Sequence, residues 1–191
     1  MREYQSAADD LGFPSIRIEL LAGIANIPSP EETGDTFAEN ASLKAAYYSL
    51  HAGGLVFADD SGISVDALDG APGVYSARFA GVGSSDSANL QLLLARMAGQ
   101  SDRRAHFTCA IALAEGGKVL QVFEDRADGV LLDSPAGSGG FGFGYDPVFF
   151  YPELQKTFAE IEPAAKLAVS HRGKALRQLL AYTLARGLHR H

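Results

Sequence analysis

Three stretches of this 191-residue chain carry side chains at spacings that could do chemistry. The first is Phe57-Ala58-Asp59-Asp60-Ser61-Gly62, where an apolar run delivers two adjacent carboxylates to a Ser-Gly pair. Neighbours on a strand point to opposite faces. A carboxylate at the strand end, Asp60, could turn into a cleft and there hold Mg2+ or orient a water. A turn in which Asp and Ser cap backbone amides accounts for the same residues equally well. The second stretch is the glycine-rich loop SPAGSGGFGFGYD, residues 134–146. Its glycines would let amides approach a phosphate or a base. Phe143 and Tyr145 offer faces on which a base could stack, and Asp146 offers an acceptor. No Gly-Lys-Ser/Thr follows, so it is not a Walker loop. A hairpin loop with its aromatic rings tucked into the core is the plain alternative. The third stretch is AAKLAVSHRGKAL, residues 164–176. Ser170 can cap a helix that begins near His171. That places His171, Arg172 and free N–H groups at a helix N-terminus, which favours anions. Lys166 lies just upstream. A capped surface helix with solvated bases is the alternative here.

Other polar residues are less telling. Glu39 follows Thr36 by three positions, so a capping box suffices to explain it. Glu31 and Glu32 lie in a polar loop without a local partner and are freer to bind metal. The remaining histidines show no zinc spacing. No Gly-x-Ser-x-Gly elbow or Cys/His pairing points to a covalent nucleophile. Carboxylates, a base-stacking loop and a basic helix start in one chain would suit a Mg2+-dependent enzyme acting on a nucleotide.

Composition narrows the field further. The net charge of −7 argues against nonspecific binding to nucleic acid or to an anionic membrane. The charge is uneven: from Lys166 onward there are six Lys or Arg and no Asp or Glu. Cys109 is alone, so no disulfide framework exists and a reducing cytoplasm is expected. No apolar run reaches transmembrane length.

The elements that must position these residues alternate early. A helix is expected almost at residue 1, ending near Gly12, followed by a strand at IRIELL (16–21). A capped helix runs from Thr36 to Gly53–Gly54. LVFAD (55–59) and ISVDAL (63–68) are expected as strands, and 84–99 as an amphipathic helix with Leu90, Leu93, Leu94 and Met97 on one face. HFTCAIALA (106–114) and KVLQVFEDRADGVLL (118–132) read as an antiparallel hairpin about Glu115–Gly117. PVFFY (147–151) is a short strand and 173–187 the last helix. This is one α/β domain over 1–191 with a mixed sheet.

The order ETGDTFAENASLKA, FADDSGISVDALDGAPGVYSARFAG, GGFGFGYDPVFF, KTFAEI and SHRGKAL resembles the inosine/xanthosine triphosphate pyrophosphatase family, also called the Ham1 or RdgB family. The resemblance implies an elongated mixed sheet flanked by helices, two lobes with a central substrate cleft, a homodimer and Mg2+. It implies hydrolysis of noncanonical purine nucleoside triphosphates (ITP, dITP, XTP) to monophosphate and pyrophosphate. By the same resemblance Asp60 is the catalytic carboxylate and Ser61 a substrate contact. Glu31 is a metal ligand beside Asp60. Phe143, Gly144, Tyr145 and Asp146 form the substrate motif, and Lys166, His171 and Arg172 the base-side contacts. The loop carries an extra Phe-Gly relative to the family's Gly-Gly-Phe-Gly-Tyr-Asp, which leaves two registers for the motif, through Phe141 or through Phe143. Family members begin with a strand and a Thr/Ser-x-Asn-x-x-Lys loop, so the chain is expected to lack that strand and the phosphate-facing lysine, with Met1 internal to a longer natural chain. The competing readings are a pyrophosphatase for modified pyrimidines and a nucleotide-binding pseudoenzyme.

Overall fold

The computed structural model describes residues 7–136 and 142–188. Five strands form one sheet in sequence order: β1 (Val56–Val65), β2 (Arg104–Glu115), β3 (Lys118–Leu131), β4 (Phe149–Tyr151) and β5 (Lys156–Thr157). The longer helices are α1 (Phe37–Ser49), α2 (Asp86–Arg96), α3 (Pro163–Val169) and α4 (His171–Ala185). Packing divides the chain into two units. The first comprises the described residues of Met1–Asp60, Cys109–Asp125 and His171–His191; the second comprises Ser61–Thr108 and Arg126–Ser170.

In the first unit, α1 starts where the sequence places it. The Thr36 hydroxyl accepts the Glu39 N–H at 3.1 Å, and the Glu39 carboxylate accepts the Thr36 N–H at 3.1 Å. This reciprocal box satisfies donors that the first helical turn leaves orphaned. The helix buries Phe37, Asn40, Ala41, Ala45 and Ser49. Residues 109–114 of β2 are buried without alternation, as befits a strand covered on both faces. Leu176, Leu179 and Leu180 of α4 are buried at helical spacing, and Tyr182 meets the Phe123 ring edge-on at 5.3 Å. The β2–β3 hairpin turns at Gly116 and Gly117, with φ of 53° and 85°. A two-residue turn with positive φ at both positions matches the right-handed twist of its strands.

The second unit packs around an aromatic cluster. Phe107 meets Phe149 at 4.7 Å and Phe158 at 5.8 Å, and Phe149 meets Phe158 at 4.8 Å. Offset and tilted ring pairs of this kind add about 0.5–1.5 kcal/mol beyond the area they bury. Leu93 and Met97 are buried there, with Leu90 and Leu94 against them, so the apolar face expected for α2 is the face that packs. β3 pairs with β4 (Val130 opposite Phe150), and β4 with β5 (Phe150 opposite Thr157), both antiparallel.

Two local expectations change, and two short elements are added. IRIELL (16–21) forms no strand: Ile16 is buried and Leu20 exposed, but alternation alone does not make a ladder. LVFAD and ISVDAL are not separate strands but one ten-residue strand, β1. β5 is too short to show a period, and α3 adds a two-turn helix before α4. Of the expected opening helix, residues 7–10 are helical, and residues 1–6 lie outside the described set.

Candidate active site

The acidic pair sits inside β1 rather than at its end. Asp59 and Asp60 are followed by Ser61, Gly62 and three more strand residues, which removes the turn alternative. Alternation along the strand sends the two carboxylates to different partners. Asp60 Oδ1 accepts from Lys44 Nζ at 2.7 Å, and Asp59 Oδ2 accepts from Arg172 Nη2 at 3.4 Å. Lys44 also donates to Glu32 Oε1 at 3.0 Å. One ammonium therefore joins the polar loop 29–35, helix α1 and strand β1.

Burial governs the electrostatics of this trio. Side-chain exposure is 12% for Asp60, 17% for Lys44 and 30% for Glu32. Burial pushes the Asp60 carboxyl above its ordinary range, with Lys44 opposing the rise. Burial alone would depress Lys44, but its bonds to Asp60 and Glu32 outweigh it and hold the ammonium above its usual value. The result is a desolvated carboxylate of enhanced basicity beside a fixed positive charge. Glu31, by contrast, is exposed; the glutamate that Lys44 ties to Asp60 is Glu32.

Arg172 and His171 open α4 directly after Ser170, where the sequence puts the helix start. His171 is 7% exposed. Cys109, buried in β2, has its thiol pushed up to about 12 by burial. It is a packing residue and not a nucleophile.

In the second unit the aromatic loop divides into an exposed and a buried half. Phe143 is 61% exposed. Tyr145 is 6% exposed and donates its hydroxyl proton to the Ser76 carbonyl at 2.8 Å. Phe143 is open to solvent, whereas Tyr145 belongs to the core, so of the two rings expected to offer a stacking face Tyr145 does not. Asp146, also buried, accepts the Phe143 N–H at 2.9 Å and bonds Lys166 Nζ through the same oxygen. Lys166 stands 5.7 Å from the Phe143 ring centroid. Gly144 donates its N–H to Asp86 Oδ2 at 3.1 Å, tying the loop to the first turn of α2. Ser61 is half-buried on β1. Phe141 and its register against Phe143 lie outside the described residues.

Sequence reasoning missed Lys44, Asn40 and Asp86. Asp86 gave no signal, since an acidic residue in a first helical turn is ordinary. Asn40 and Lys44 did give one. They stand four residues apart within the stripe Phe37, Asn40, Ala41, Lys44, Ala45, which is the face α1 turns inward. An amide and an ammonium on a buried stripe need partners, and those partners are at the site.

A profile of the Ham1 family matches residues 1–182. A dITP/XTP pyrophosphatase of Gloeobacter violaceus is 56% identical over 151 residues, covering 79% of this chain and 75% of that protein. One of Acidobacterium capsulatum is 48% identical over 190 residues, covering 95% and 91% respectively. Among solved structures, a HAM1 protein from Coxiella burnetii superposes with a TM-score of 0.85 at 38% identity, covering 96% of this chain and 94% of that one. The Staphylococcus aureus Ham1 protein gives 0.86 at 36%, covering 97% and 95%. The match spans most of both partners in each case, and the family profile runs through the acidic strand, the aromatic loop and the Ser-His-Arg helix start: the chain belongs to the Ham1 family.

Proposed function

We propose that this chain is a nucleoside triphosphate pyrophosphatase. It hydrolyses noncanonical purine nucleotides (ITP, dITP and XTP) to the monophosphate and pyrophosphate, removing them from the nucleotide pool. The observation that carries this reading is the desolvated Asp60 carboxylate held by Lys44, in a chain whose relatives are dITP/XTP pyrophosphatases.

Asp60 accepts a proton from the attacking water as its oxygen adds to the α-phosphorus, and the bond to the β-phosphate oxygen breaks. Burial suits Asp60 to this, because a carboxylate of raised pKa is a stronger base. Lys44 fixes the orientation of Asp60 and supplies positive charge where phosphate charge builds up. On the base side, Phe143 stacks the purine and Lys166 donates toward its 6-oxo group; a part for Arg172 there rests on the family likeness alone. His171 and the N–H groups of the α4 start favour an anion.

Mg2+ fits the donor set. The Glu32 and Asp60 carboxylates already converge on one cation, the Lys44 ammonium. Among the described residues no group of three or more acidic, His or Cys side chains forms a metal cage. Mg2+ is commonly held by one or two carboxylates together with substrate phosphates. Asp60 and Glu32 are the residues that would hold the ion, with Glu31, the glutamate the family likeness names, exposed beside Glu32; the charge of the ion would ease departure of pyrophosphate. The proposal extends to a homodimer in the cytoplasm, on the strength of the family likeness.

The test is product analysis with dITP and XTP in the presence of Mg2+. Pyrophosphate and monophosphate are expected. Release of orthophosphate overturns the reaction type, and binding without turnover makes the chain a pseudoenzyme. Hydrolysis confined to modified pyrimidine nucleotides transfers it to that class.

The loop supplies a second check. Gly142 has φ of 90°, and a Cβ there would lie 2.5 Å from Asp146 Oδ2 and 2.9 Å from Asp146 Cβ. Gly142→Ala is expected to push Asp146 off the Phe143 N–H and spoil the stacking face. KM for dITP should rise by roughly tenfold, about 1.4 kcal/mol of binding. Steady-state kinetics decide it: an unchanged KM means that Phe143 does not bind the base.

A further inference from the structure

We propose that Asn40 is a positioning residue of the active site, holding the acidic loop and the Asp60 carboxylate together through the two ends of its carboxamide. The inference rests on the role given to Asp60 above. Asn40 is fully buried, at 0% exposure. Its Oδ1 accepts the Gly34 N–H at 2.8 Å, which fixes the oxygen end of the amide and makes the other end an NH2 donor. That nitrogen is buried and makes no hydrogen bond of good geometry. A buried amide donor left unsatisfied costs about 1–3 kcal/mol, so its retention on an inward helix stripe calls for a reason.

Helix geometry shows where the donor stands. Asn40 and Lys44 are four residues apart on α1 and share a face. Lys44 reaches Asp60 Oδ1 at 2.7 Å from one turn further on. Asp60 therefore lies along the face that Asn40 presents, and the Asn40 amide favours the ionised carboxylate against the burial that disfavours it. The unmatched donor and the carboxylate thus share one side of α1.

The loop end is built as closely. A Cβ on Gly34 would meet Glu39 Cβ at 2.6 Å and Asn40 Oδ1 at 2.8 Å. Only glycine lets the backbone approach the amide this way. The residue so gripped is two positions from Glu32 and three from Glu31, so one carboxamide spaces the loop carboxylates from the strand carboxylate. Lys44 bonds Glu32 and Asp60 by charge, and Asn40 sets where the backbone carrying the glutamates sits.

The test uses an isosteric swap. Asn40→Asp keeps the acceptor for Gly34 but replaces the donor facing Asp60 with a second carboxylate. It should lower kcat for dITP by about 10- to 100-fold, the scale typical of residues that orient a catalytic group, with KM changed less than about threefold. It should also lower the melting temperature by about 4 °C or more, equivalent to at least ~1 kcal/mol for a chain of this size. The double variant Asn40→Asp/Asp60→Asn restores a donor–acceptor pair with the roles exchanged. It should recover most of the lost melting temperature while remaining inactive. If the double variant melts no higher than Asn40→Asp, the two side chains do not face each other and the proposal falls. It falls equally if Asn40→Asp keeps wild-type kcat. Should Asp60→Asn alone stay active while the swap restores the melt, the contact stands and the role given to Asp60 is what fails.

Discussion

Asp60→Asn is expected to lower kcat for dITP by about 10³-fold while leaving the protein folded. General-base catalysis typically contributes 10²–10⁴-fold, and the amide can neither take the proton nor carry the charge. The fold should tolerate the change. Burial raises the pKa of Asp60 in the folded chain, so the folded state holds the proton more readily than the unfolded one, and keeping the carboxylate ionised costs the fold some stability. Replacing it with a neutral amide removes that cost. Lys44 loses one partner but keeps Glu32 at 3.0 Å. The melting temperature should stay within about 4 °C of wild type. Asp59→Asn is the internal comparison. Asp59 meets Arg172 at 3.4 Å with both side chains partly exposed, a pairing of modest strength. Its loss should cost far less in kcat. Near-wild-type turnover of Asp60→Asn, or a larger loss at Asp59, would reverse the assignment of the two carboxylates.

The pair could be assigned from sequence only as far as chemistry and family likeness reach. FADDSG was visible as two carboxylates on an apolar run, but not its place in the middle of β1. Alternation within a strand is local, whereas the continuation of β1 through Ser61 and Gly62 depends on the ladder it joins. The α1 capping box was legible in full, because Thr36 and Glu39 satisfy each other within one turn. The β2–β3 hairpin was legible for the same local reason at Gly116–Gly117. IRIELL shows the converse: it has the alternation of a strand, and pairing, which no local pattern contains, decides otherwise.

The aromatic loop shows a second kind of limit. Phe143 and Tyr145 are two residues apart in a glycine-rich segment, and composition assigns them the same part. They separate because Tyr145 finds an acceptor in the Ser76 carbonyl, 69 residues away in sequence. Burying a phenol demands such a partner. Lys44 was missed through its company. Among the alanines of α1 it passes for a solubilising charge unless its place on the inward stripe is read, and the meeting with Glu32 and Asp60 shows what an ammonium does on that face.

Discrimination among bases carries the largest expected effect. With dITP or XTP as substrate, kcat/KM should exceed that with dATP by roughly 10⁴-fold, the scale at which a site built for one hydrogen-bonding pattern rejects its mismatch. The donor we assign to this is chiefly Lys166. Its ammonium has three protons; Asp146 takes one, and the group lies 5.7 Å from the centre of the exposed Phe143 ring. A purine stacked on Phe143 would bring its 6-position toward that charge. A 6-oxo group accepts from it, whereas the 6-amino group of adenine sets donor against donor in a partly dry site, where the unmet group costs most. Arg172 is already engaged by Asp59 and should count for less. Lys166→Met keeps the apolar stem and removes the protons. It should cut kcat/KM for dITP by about 10²-fold, near 2.7 kcal/mol, and leave dATP almost unaffected, so that selectivity contracts to about 10². Rates on dITP, XTP and dATP for the wild type and this variant decide the matter. Equal losses on all three would place Lys166 against the triphosphate, and the purine edge would then have to be read by another donor.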